Sequence, residues 1–249
     1  VTGMTYGTNG FYLDFGNTAS FHTITGVGGI SHSTSQNKFG GSSIVFDGSN
    51  DQLQSDHATD FDLGTEFTWE SWVYHSSLSG EQYYFTNDVG GIIGVRKEIG
   101  GNVRFLSNGT AWQDSGWNPS TGTWYHIALV GTGGNATKFY VDGVQKGSTL
   151  SATFSGANVG GFTCGSQYRD NMQYLNGYMD EFRISNTARY TTTFTPSTFA
   201  FTTDANTLLL IHSDTTNGST TFTDSSTTDA GLGTDASSNT NNWTVNNLA

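Results

Sequence analysis

The stretch Gly177-Tyr178-Met179-Asp180-Glu181-Phe182-Arg183-Ile184-Ser185 decides the fold, because it closes a series of similar blocks. Working back along the chain, the others are Lys138-Phe139-Tyr140-Val141-Asp142-Gly143-Val144, Trp124–Val130, Phe67–Val73 and Phe39–Gly48. Through these blocks bulky apolar and β-branched residues alternate with Ser, Thr or Glu, the period-two pattern of a half-buried strand. Helical periodicity is nearly absent, and Asn186–Tyr190 is the one plausible helical turn. Trp124–Val130 and Lys138–Val144 read as a hairpin joined through Gly131-Thr132-Gly133-Gly134-Asn135. Asp142-Gly143 is a tight-turn signal, with Val141 and Val144 placed to face a core. About a dozen strands are expected, spaced as in an all-β sandwich.

In this order and spacing the blocks resemble laminin-G-like domains of the concanavalin-A-like lectin/glucanase superfamily, over roughly residues 20–200. The resemblance implies an antiparallel two-sheet jelly-roll sandwich that binds glycans or proteins more often than it catalyses.

Composition agrees with one sizeable β domain. The chain has 249 residues, 14% of them aromatic and only 12% charged, which is a folded rather than a disordered profile. Its net charge of −12 disfavours nucleic acid and anionic membranes, since both recruit basic surface. No apolar run approaches the length of a membrane span, and the first residues are not signal-like. Cys164 is the only cysteine, which rules out an intrachain disulfide and suits a thiol packed at a strand end. A disulfide-free chain also suits a protein made in a bacterial cytoplasm.

Three segments are expected: residues 1–19, a strand and linker; residues 20–203, the sandwich; and residues 204–249. The last would open a further laminin-G-like strand over 204–226 and then run into a Ser/Thr/Asn-rich stretch. Gly7–Phe15 taken with Leu232–Asn247 resembles a segment of bacteriophage tail-fibre and virion proteins, there lying close in sequence. A sandwich inserted into such a module would explain the split, because sandwich termini tend to lie close together. The alternative is a pair of polar linkers.

Catalysis finds little support. Retaining glycosidases need two carboxyl groups about 5 Å apart. Glu66 and Glu70 are four residues apart, roughly 13 Å along a strand, and Asp180 and Glu181 are adjacent and so expected on opposite faces. The six histidines, at 22, 32, 57, 75, 126 and 212, show no zinc spacing, and His126 reads as a structural residue on a core strand. Calcium is the better metal candidate: Asp47-Gly48-Ser49-Asn50-Asp51 is an oxygen-rich turn, and the resemblance implies Asp47, Asp51 and Asp180 as ligands. A plain hairpin turn at Asp47 and a backbone-capping Asp180 remain the alternative.

Ligand binding is expected on rim loops, where flat aromatic faces meet sugar C–H surfaces and amides or acids meet hydroxyls. Trp112, Gln113, Asp114 and Trp117 form one such segment; Tyr168, Arg169, Asp170 and Tyr174 form another. The alternative for a tryptophan here is to cap the core. The functional expectation is a non-enzymatic binding or structural module of a bacteriophage virion, a tail-fibre or capsid-attached appendage. Its partners would be a host-surface glycan or other virion proteins, met in multivalent form on the particle and without membrane insertion. The alternatives are a carbohydrate-binding module of a secreted bacterial enzyme or adhesin, and a glucanase-like hydrolase.

Overall fold

The computed structural model describes residues 22–55, 61, 63–87, 93–108, 111–152, 161–167 and 172–226. These residues lie in one compact unit, His22–Ser226. The terminal segments compared with virion proteins fall outside the described residues.

Among the described residues there are fifteen strands and no α-helix: β1 Ile24–Val27, β2 Ser31–Ser33, β3 Ser43–Asp47, β4 Gln52–Ser55, β5 Glu66–His75, β6 Gln82–Asn87, β7 Ile93–Lys97, β8 Val103–Ser107, β9 Gln113–Asp114, β10 Trp124–Thr132, β11 Thr137–Val141, β12 Val144–Leu150, β13 Phe162–Cys164, β14 Asn176–Ser185 and β15 Thr207–Ile211. They form a two-sheet antiparallel sandwich. One sheet runs β1-β4-β13-β6-β7-β8-β9; the other runs β12-β11-β10-β5-β14-β3-β2, with β15 added on β14. Alternation along β5 sends Phe67, Trp69 and Val73 into the core. The Trp69 ring lies 5.2 Å from that of Phe85 and 6.4 Å from that of Phe162, both on the facing sheet, so one side chain spans the sandwich. Cys164 is buried at the end of β13, and burial pushes its thiol well above the usual range.

The outward face of β5 is covered as well, by chain 186–206. Trp72 packs with Phe201 and Leu210, and Ala128, Val130 and Tyr140 pack with Tyr190 and Phe194. Glu70 anchors this layer. It accepts hydrogen bonds from Arg183 at 2.6 and 2.8 Å, from His126 at 3.0 Å and from Tyr190 at 2.8 Å. Burial opposes its charge, but the His126 hydrogen bond and the Arg183 guanidinium hold the carboxyl down at about 2.

Several local expectations change. Asn186–Tyr190 forms bends, with no helical turn. Val144 is 47% exposed because it begins edge strand β12, beyond the core that buries Val141. Strand Thr207–Ile211 does not open another unit: it pairs with Phe182–Ser185 of β14 and completes this sheet. Asp180 and Glu181 do not point to opposite faces either. Asp180 pairs with Trp72 and Arg183 with Glu70, so Glu181 and Phe182 together oppose Ser71. Glu181 takes φ 54° in this bulge, which turns its side chain to the outer face beside Asp180 while Phe182 enters the core.

The two ends of the unit are fastened together. His22 donates from Nδ1 to Asp224 Oδ2 at 2.8 Å, and the amides of Leu210 and Ser226 donate to Asp224 Oδ1. Burial opposes the Asp224 charge, but His22 and the amides hold its carboxyl below the usual range. Asp224→Ala should therefore destabilise the domain by about 1–3 kcal/mol, the cost of leaving buried donors unsatisfied. A depressed carboxyl contributes stability above its unfolded-state value and loses it as the pH falls, so the deficit should shrink below the ordinary aspartate range. Urea unfolding of both proteins across that range measures it; a deficit that does not vary with pH would count against the clasp.

Candidate functional site

The outward face of the seven-stranded sheet carries a cluster of aromatic and charged side chains, some buried and some reaching solvent. Core residues Phe85, Val95 and Phe105 stand side by side on its inner face, so Thr86, Gly94, Arg96, Arg104 and Leu106 point outward, while a register shift between Tyr83 and Phe85 puts Tyr84 in the core and leaves Tyr83 outward. One outward row runs Tyr83, Arg96, Arg104, Asp114 across β6 to β9. The next runs Gln54, Thr163, Thr86, Gly94, Leu106.

Trp112 lies over this face. Its indole reaches β7 at Gly94, where an added Cβ would come 3.0 Å from the ring-edge atom Cη2, so the missing side chain is what lets the indole edge approach there. The Arg96 guanidinium stacks 4.1 Å from the Trp112 ring centre, and the Tyr83 ring meets the indole edge-on at 5.8 Å. Arg96 is itself fixed, by Glu98 at 2.7 and 3.0 Å, Glu81 at 2.8 Å and Tyr83 Oη at 2.9 Å. The result is a half-buried indole held at a set angle, flanked by the exposed Asp114 carboxylate and the partly exposed Arg104. The Gly116 amide and Asn102 hold Asp114 below the usual carboxylate range, so it stays ionised. At the middle of the face the buried Thr163 hydroxyl has no hydrogen-bond partner.

The sequence candidates divide. Trp112 and Asp114 join this face. Gln113 is in register with core residue Phe105 and so points the other way. Trp117 caps the core, with its ring 5.1 Å from Tyr125 and 6.3 Å from Phe139. Tyr174 is half-buried just before β14, and Tyr168, Arg169 and Asp170 lie outside the described residues. Tyr83, Gly94 and Arg96 were missed; alternation predicts their outward direction, but only strand pairing puts them under Trp112.

The structure does not bring the three proposed calcium ligands together. Asp51 is buried and accepts from the amides of Gly29 and Asp47, while Asp47 caps the turn amides of Ser49 and Asn50. Asp180 lies four residues along β14 from Asn176, the partner of Asp47, roughly 13 Å away. Its oxygens accept from the amides of Lys38, Phe39 and Glu181. Burial, with the charges of Glu181 and Asp214 nearby, pushes Asp180 up to about 8. These residues do not fit a calcium ion as a set.

A different group does converge. One ligand atom each from Glu181, His212 and Asp214 lie within 4.8 Å of one another. His212 donates from Nδ1 to Glu181 at 2.9 Å, and this hydrogen bond raises the imidazole above its usual value. Burial and the Glu181 charge raise Asp214.

Residues 47–193 match the Laminin_G_3 family model, described as the concanavalin A-like lectin/glucanases superfamily. The chain belongs to that superfamily. Among solved structures, the superfamily sandwich seen here is similar to domain 4 of AbnA, a GH43 extracellular arabinanase from Geobacillus stearothermophilus, solved in complex with arabinotriose. That likeness has a TM-score of 0.54 at 24% identity and covers 69% of this chain and 86% of that one. The enzymatically active domain of bacteriophage CBA120 tailspike protein 2 is similar with a TM-score of 0.54 at 11% identity, covering 81% of this chain and 35% of that one. Both likenesses speak to the fold, and this chain spans about a third of the tailspike's length. No curated protein sequence matches the chain.

Proposed function

We propose that this chain is a non-enzymatic glycan-binding module of a bacteriophage virion, carried on a tail fibre or capsid appendage. The observation that carries the binding reading is the Trp112 indole fixed over Gly94 by Arg96 and Tyr83 on an outward sheet face. An immobilised aromatic plane takes the C–H face of a sugar at little entropic cost, and Asp114 and Arg104 beside it suit hydroxyls. Of the carboxylates near the indole, Glu81 and Glu98 pair with Arg96, which leaves the exposed Asp114. Glu70, the nearest sequence candidate for a catalytic acid, is buried in its ion-pair hub. A hydrolytic role would need two free carboxyl groups flanking a bond. The tailspike likeness and the sequence resemblance of the terminal segments support the virion setting.

The test is binding to a glycan array, followed by titration with the best oligosaccharide. Trp112→Ala should weaken binding about tenfold or more, while Trp117→Ala should act on stability instead. Equal affinity in wild type and Trp112→Ala would remove this face from consideration. Release of reducing sugar from the bound glycan would overturn the non-enzymatic part. The arabinanase likeness favours a second reading, a carbohydrate-binding module of a secreted enzyme. Detection of the chain in purified phage particles separates the two, and its absence there would favour the second.

A further inference from the structure

We propose that Glu181, His212 and Asp214 form a binding site for a divalent first-row transition ion of the zinc type, opening onto a neighbouring polar cleft. The site is separate from the glycan face, being built on the outer side of the other sheet.

Three observations carry it. The donors converge, one ligand atom from each within 4.8 Å, although 30 or more residues separate Glu181 from the other two. Their chemistry is one imidazole nitrogen and two carboxylates, a mixed set that suits zinc and its neighbours and that calcium, which takes oxygen, does not favour. There is room as well: a cleft of about 260 Å³ has His212 and Asp214 in its wall, with His32, Thr221, Thr223 and Ser225 around them. Three protein ligands leave a coordination position to be filled from that cleft by water or a hydroxyl.

The local charge also calls for a cation. Glu181 and Asp214 gather here, and neither makes an ion pair with a lysine or arginine among the described residues. Among the described residues, His212 is the one cationic partner of Glu181. Gly40 leaves the space the Asp214 carboxylate occupies, since a Cβ there would run into it. The Ser42 hydroxyl holds the turn after His212 by bonding Ser213 O and the Thr215 amide.

Isothermal titration of the full chain with zinc chloride tests this, with calcium chloride in parallel. One zinc ion per chain is expected, with calcium far weaker. Asp214→Asn and His212→Gln should each weaken zinc binding about tenfold or more. Asp214 is exposed, so Asp214→Asn keeps the fold and decides the matter even if His212→Gln does not fold. Absence of zinc uptake by the wild type would overturn the proposal. So would zinc affinity unchanged in Asp214→Asn, or a calcium affinity exceeding that for zinc.

Discussion

Glu70→Ala is expected to lower folding stability by about 3–5 kcal/mol, the scale for removing one partner of a buried ion pair. Glu70 and His126 are completely buried, and Arg183 is nearly so. Without the carboxylate, Arg183 keeps a charge that water cannot reach, and His126 and Tyr190 lose their shared acceptor. The damage should extend past the residue itself, because this hub ties chain 186–206 to the outside of the eight-stranded sheet. Glu70→Gln, which keeps the shape and one acceptor oxygen, should lose less. The pH dependence has a definite sign. Glu70 sits at about 2 in the folded protein against a usual 4.5, so its contribution is fully present above 4.5 and disappears as the pH falls from there through about 2. Chemical denaturation of wild type and Glu70→Ala should therefore give stability curves that approach one another across that interval. A deficit below about 1 kcal/mol at neutral pH would mean that the hub is not the anchor its geometry implies.

Trp69→Ala should be comparably severe, about 3–5 kcal/mol, by opening a large cavity where the two sheets meet. The indole is fully buried and touches Phe85 and Phe162 of the facing sheet and Phe182 of its own. Close packing leaves these rings little freedom to collapse into the space. Trp69→Phe keeps an aromatic ring there and should recover part of the loss. Urea midpoints, read at constant slope, measure both variants. With total domain stabilities of about 5–15 kcal/mol, Trp69→Ala could sit near the folding threshold at 37 °C. A change of under 1 kcal/mol would show that the centre of the sandwich lies elsewhere.

Strand identity and facing were legible wherever alternation ran unbroken. Phe67, Trp69 and Val73 point inward as their spacing requires, and the hairpin from Trp124 to Val141 forms where its glycine-rich link predicts. Asp142 and Gly143 make the tight turn with φ of 47° and 77°, as the dipeptide suggests. Reading stopped where alternation breaks. At Glu181 the local pattern alone cannot announce a bulge, because the extra residue arises from matching β14 to β5, whose sequence lies more than a hundred residues earlier.

The candidate site shows the same division. Trp112 was recognisable as a chemically suitable aromatic, and so was Trp117, yet one lies over a sheet face and the other closes the core. Nothing in their immediate neighbours distinguishes them. The register of the short strand β9 does, since it sets Asp114 beside Arg104 and Gln113 beside Phe105.

By itself the sequence determined a disulfide-free, acidic β-sandwich and which residues of its regular strands face inward, because side-chain direction follows from backbone period alone. Only the tertiary structure decided that Tyr83, Arg96 and Trp112 meet, and that Glu181, His212 and Asp214 converge. Those meetings depend on strand register, a bulge and turn geometry. These are set by the free energy of packing the whole sandwich rather than by any local run of residues.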